Sequence, residues 1–123
     1  MKVFLIAGAI NAFLAVALGA FGAHGLEGRI SAKYLETWKT GVHYHMFHAA
    51  GLLVVGLLAG QLKAGSLLNW SGWLMILGIV LFSGSLYVLS VTGIRVLGAI
   101  TPLGGLAFLA AWLLIIIGVY KYL

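Results

Sequence analysis

Long stretches without a single Asp, Glu, Lys or Arg limit the folds open to this chain more than any motif in it. Val3 to Ala23, His43 to Ala59, Trp70 to Val91 and Leu103 to Tyr120 are all uncharged. An α-helix needs roughly 20 apolar residues to cross a bilayer, and each stretch falls within the usual tolerance. A soluble domain covers its surface with about 25% charged residues. Here 7% are charged, 63% are hydrophobic and the mean hydropathy is +1.17. Lipid offers nothing to bond to backbone N–H and C=O groups, so every span is expected to be helical. The chain reads as one membrane domain, 1–123, with spans at 3–23, 43–59, 70–91 and 103–120.

The connections set the topology. Short loops around Gly60 to Asn69 and Thr92 to Pro102 join antiparallel neighbours, which gives an all-α integral membrane four-helix bundle running up-down-up-down. The longer polar segment 24–42 has structure of its own. Ser31 is placed as a helix N-cap, and Ile30, Tyr34, Trp38 and Val42 recur every fourth residue, with Lys33, Glu36 and Lys39 on another face. This predicts a short amphipathic interfacial helix between helices 1 and 2. It is able to run straight into helix 2, because Gly41 weakens a helix by only about 1 kcal/mol. Pro102 suits the first turn of the last helix, where its missing N–H costs nothing. Lys2 ahead of an apolar run, with Ala20-Phe21-Gly22 downstream, has the outline of a cleavable leader. The length of Val3 to Ala23 favours a retained span.

Small residues mark where helices approach. Gly8, Ala12, Ala15, Gly19 and Gly22 form one stripe on helix 1. Gly104, Ala107, Ala111 and Gly118 form another on helix 4, and helix 2 offers Ala49, Gly56 and Gly60. Such stripes pack helices within one chain, and they also suit a homo-oligomer. Lys2, Lys63 and Lys121 fall at one membrane face and Arg29, Lys33, Lys39 and Arg95 at the other. That near balance leans toward a cytoplasmic linker end and also fits dual insertion. Cations this dispersed do not make a nucleic-acid surface.

With alternating topology, one membrane face gathers most of the polar side chains. His24, His43, Tyr44, His45, His48, Ser83, Ser85, Tyr87, Ser90, Thr92, Arg95 and Thr101 all lie toward that end. The expected site is a polar vestibule of His24, Tyr44, His45, His48, Ser83, Ser85, Tyr87, Arg95 and Thr101 that takes a membrane lipid or small ligand. His48 lies roughly 8 Å below the start of the apolar part of helix 2, where an ionisable group normally has a partner. Asn11, near the middle of helix 1, is expected to be a buried polar residue bonded to another helix. Ser83, Tyr87 and Ser90 form a hydroxyl ladder on helix 3.

A metal or haem site on His45, His48 and His24 is the sharper alternative. Histidines at i and i+3 with no nearby carboxylate or cysteine are a weak signal, so no metal and no cofactor are expected. The chain has no cysteine, which excludes disulfides and thiolate chemistry. No span carries an Asp or Glu, and no nucleophile has an evident histidine and carboxylate partner, which argues against an enzyme. The missing carboxylate also argues against a proton-coupled exporter. An oligomeric ion or small-solute channel is the second reading, although helices 2 and 4 offer little polar surface toward the far end.

Four ordered segments carry a family resemblance: Gly19-Ala20-Phe21-Gly22-Ala23-His24-Gly25-Leu26, Tyr44-His45-Met46-Phe47-His48-Ala49, Phe82-Ser83-Gly84-Ser85-Leu86-Tyr87, and Thr101-Pro102-Leu103-Gly104-Gly105 with Trp112. Together they resemble domain-of-unknown-function family 423, the YgdD/YwdK-like small bacterial membrane proteins with small eukaryotic transmembrane relatives. The resemblance implies a four-span protein of the bacterial inner membrane and supplies no activity. It singles out His24, Tyr44, His48, Ser83, Ser85, Tyr87, Thr101 and Pro102. His43 and His45 are less typical of it, which argues against a dihistidine metal pair.

Overall fold

The computed structural model describes residues 1–63 and 65–123. Helices α1 (Lys2–Leu26), α2 (Ala32–Gln61) and α3 (Ser66–Thr92) are followed by a 3₁₀ turn, Arg95–Ala99, and by α4 (Thr101–Tyr122). All four are long and apolar enough to cross a membrane, and the described residues contain no strand. Pro102 occupies the first turn of α4.

The amphipathic segment and helix 2 are one helix. Ser31 is extended, and its hydroxyl accepts the N–H of Tyr34 at 3.2 Å, starting α2 eleven residues before the expected span at His43. Nothing then interrupts the helix, because Gly41 is held against the Tyr87 ring and Leu86. Trp38 explains the direction of this extension. Its side chain is buried, and its indole N–H donates to the Leu18 carbonyl at 2.9 Å, fastening the start of α2 to the end of α1. On the exposed face Lys39 and Glu36 pair at 3.6 Å.

The small-residue stripe of α1 faces α2. Gly8 abuts Leu53 while Gly56 abuts Leu5, so the antiparallel helices interlock reciprocally. A Cβ on either glycine would come within 2.8 Å of the opposing leucine. Lipid tails are as apolar as leucine, so burial alone does not drive such contacts. Close backbone approach and interhelical hydrogen bonds supply the attraction instead.

Helix α3 changes register on the way. Ile79–Gly84 is a π-helical segment, and the Ser85 hydroxyl donates to the Phe82 carbonyl at 2.9 Å. Gly104 of α4 lies directly against the Phe82 backbone, which only a residue without a side chain allows. Ser71 donates to the Ala111 carbonyl at 2.8 Å, a second tie between α3 and α4. Phe4, Leu52, Val55, Met75, Ile79, Phe108 and Ala111 fill the centre.

Candidate functional site: an aromatic groove between α2 and α4

His45 and His48 are about 60° apart around α2, given the helix repeat of 3.6 residues. That separation sends them to different neighbours. Nε2 of His45 lies 2.9 Å from Oδ1 of Asn11 on α1, and Nδ1 lies 2.8 Å from the Tyr87 hydroxyl on α3. The Asn11 amide nitrogen donates to the Ala7 carbonyl at 2.8 Å, which leaves Oδ1 as the acceptor. His45 therefore donates through Nε2 and accepts the Tyr87 proton at Nδ1, an assignment made from the bonding partners. One imidazole joins three helices.

His48 faces α4. Nδ1 is 2.7 Å from the Tyr44 carbonyl, which only accepts, so this nitrogen carries the proton. Nε2 accepts the indole N–H of Trp112 at 3.0 Å. The ring also stacks on Phe108, centroid to centroid 3.5 Å and 9° from parallel. Both nitrogens are committed and the residue is buried, so what the imidazole presents to its surroundings is packed ring surface and no free polar atom.

That ring forms part of a groove of about 620 Å³ between α2 and α4. Tyr44, Phe47 and His48 make one wall, Phe108 and Trp112 the other, with Phe82 behind them. Tyr44 packs on Phe82 at 4.4 Å and Phe47 on Trp112 at 5.5 Å. Gly105 lies in the lining with open space above its Cα, the nearest atom to an added Cβ being Phe82 Cδ2 at 3.9 Å. The groove opens sideways, where Phe47, Leu106 and Leu109 are 62%, 63% and 68% exposed. In a membrane those side chains meet hydrocarbon.

The expected vestibule residues do not converge on one space. Tyr44 and His48 line the groove. His45 and Tyr87 bond each other, and Ser83 donates to the Gly41 carbonyl at 2.8 Å. Ser85 and Thr101 share a 2.6 Å hydrogen bond behind the groove. His24 and Arg95 are exposed and make no side-chain hydrogen bond among the described residues. The hydroxyl ladder divides as well, since Ser90 bonds its own helix at Leu86. The physical reason is satisfaction: a polar group in lipid that finds a backbone carbonyl or a neighbouring ring is no longer free to line an aqueous space. His45 and His48 point apart, and the described residues hold no cluster of three metal-ligating side chains.

Phe47, Phe82, Gly105 and Trp112 line the groove and lie within the family-like segments, beside Pro102, which the resemblance singles out, but an apolar wall has no sequence mark that separates it from packing.

Residues 18–105 match a family described as "Protein of unknown function (DUF423)", and that region holds Tyr44, Phe47, His48, Phe82, Pro102 and Gly105. The chain is 64% identical over 123 residues to the UPF0382 membrane protein YwdK of Bacillus subtilis, covering 100% of both. The chain belongs to this family. It is 54% identical over 121 residues to the UPF0382 membrane protein SSP2132 of Staphylococcus saprophyticus, covering 98% of this chain and 99% of that one. The UPF0382 membrane protein SH2409 of Staphylococcus haemolyticus is 52% identical over 122 residues, 99% of this chain and 98% of its own. No solved structure matches the chain. With relatives named as membrane proteins in bacteria and four helices of spanning length, it is an integral bacterial membrane protein.

Proposed function

We propose that this protein is a non-enzymatic membrane protein that holds the hydrocarbon chain of a membrane lipid in the groove between α2 and α4. The observation that carries the reading is the groove itself: an aromatic-walled recess of about 620 Å³ that opens sideways between exposed apolar side chains. Its size falls in the range of small-molecule sites, roughly 300–1,000 Å³. Aromatic rings present broad, stiff surfaces at little entropic cost on binding, and an acyl or isoprenoid chain needs no polar partner. The commitment of both ring nitrogens of His45 and of His48 to protein partners favours holding over catalysis. Pairwise satisfaction of the polar groups inside the spans likewise favours binding over conduction.

Native mass spectrometry of the protein released from lipid nanodiscs tests this. Wild type retains bound lipid, and Gly105→Trp, which fills the groove from a position with room for a side chain, loses it. Equal retention by the two proteins would overturn the reading.

A further inference from the structure

A shallow trough continues from the aromatic groove around the outward face of α2. Its recesses share lining residues in sequence: the groove ends at Tyr44 and Phe47, the next recess is lined by His43, Tyr44 and Phe47, and the last reaches Lys39 and His43. That last recess, of about 300 Å³, is floored by Gly19 and Ala23 of α1, with Trp38 at its side. Small residues on α1 give it depth. Trp38 gives it a fixed wall, because its indole is tied to the Leu18 carbonyl.

We infer that Lys39 and His43 bind the phosphate of an anionic phospholipid whose chain lies in the aromatic groove; the inference rests on the groove reading above. Lys39 is the last charged residue on α2 before an uncharged run that reaches to Lys63, so it stands on the headgroup side of the spanning run. His43 follows one turn later on the same face, is exposed, and makes no side-chain hydrogen bond among the described residues. A phosphate between them receives an ammonium and an imidazole N–H, the charge-assisted kind of contact that favours anions. Among the described residues the competitor in contact is Glu36, 3.6 Å from Lys39 with both side chains more than half exposed. Exposed pairs of this kind are worth little, so a lipid phosphate displaces it readily.

Depth agrees with this assignment. From His43 to Phe47 is one further turn, about 6 Å at 1.5 Å per residue. The headgroup layer of one leaflet is about 5–8 Å thick, half the difference between total and hydrocarbon thickness. A phosphate at His43 therefore places the start of its chains beside Phe47, at the mouth of the groove.

The full-length protein in nanodiscs of equal phosphatidylglycerol and phosphatidylcholine, with retained lipids identified by mass spectrometry, is the test. Wild type is expected to retain phosphatidylglycerol over phosphatidylcholine by about fivefold, the ratio one interfacial cation supplies. The double variant Lys39→Gln/His43→Gln keeps its total lipid and its melting temperature but loses the preference, and Lys39→Arg keeps it. Lipid retained by wild type without preference, or a preference surviving in the double variant, would overturn the headgroup assignment and leave the groove reading standing. No lipid retained by wild type would overturn both.

Discussion

Trp112 donates its indole N–H to Nε2 of His48 at 3.0 Å, joining α4 to α2 across the wall of the groove. Because the Tyr44 carbonyl already fixes the proton on Nδ1, this is the one tautomer that satisfies both partners. Removing the donor leaves an acceptor stranded in an apolar wall. Trp112→Phe should therefore destabilise the protein by about 1–3 kcal/mol, the cost of an unsatisfied buried group. The double variant Trp112→Phe/His48→Phe should lose less than the two single variants summed, since it leaves nothing unpaired. Thermal unfolding in mild detergent provides the measurement, and strict additivity would contradict the pairing.

Asn11 and His45 should couple in the same kind of experiment. Their 2.9 Å contact is an interhelical hydrogen bond at the α1–α2 interface. Measured bonds of this class in membrane proteins average about 0.6 kcal/mol and reach about 1.7. A cycle of Asn11→Leu, His45→Leu and the double variant is expected to give a coupling in that range. A coupling of zero would mean the two side chains do not meet.

Adjacent glycines at the start of α4 should behave oppositely. A Cβ on Gly104 would strike the Phe82 backbone, which cannot yield as a side-chain tip can. Gly104→Ala should cost about 1–3 kcal/mol as overpacking. At Gly105 the added atom meets only ordinary contact, so Gly105→Leu should leave the melting temperature nearly unchanged while occupying the groove. Circular dichroism melts of the two variants compare them directly.

Metal content supplies a further check. His45 and His48 are each bonded to two protein groups and face different helices. Protein purified without chelator should hold no stoichiometric zinc, iron or copper by elemental analysis, and His45→Gln/His48→Gln should not alter the trace level. One metal per chain, lost in that variant, would contradict the arrangement.

How far these features were legible beforehand depended on whether they are periodic. The uncharged stretches, the Ser31 cap, Pro102 at the start of α4 and the glycine stripe of α1 all follow from spacing along one helix, and spacing is written in the sequence. The unbroken run of α2 was harder to read, because the polar face of Lys33, Glu36 and Lys39 resembles an interfacial helix whether or not it continues. Asn11 was expected to be buried and to bond another helix; it is half-buried, its amide nitrogen turns back to the Ala7 carbonyl of its own helix, and Oδ1 meets His45 through a helix rotation that spacing does not fix. The vestibule failed as a single space for the same reason. Residues at one membrane end share a depth, but whether they share a cavity depends on rotation and on the π segment at Ile79–Gly84, neither of which has a compositional signature.

The claim at the centre of this account is that a lipid chain occupies the groove between α2 and α4. Reconstitution with a phospholipid carrying a photoactivatable diazirine in its acyl chain, followed by peptide mapping of the crosslinks, tests it most directly. Crosslinks concentrated at Phe47, Leu106 and Leu109, and abolished by Gly105→Trp, are the predicted result. Crosslinks spread evenly over outward apolar residues, with Phe13 and Val16 of α1 labelled as strongly as the groove, would contradict it.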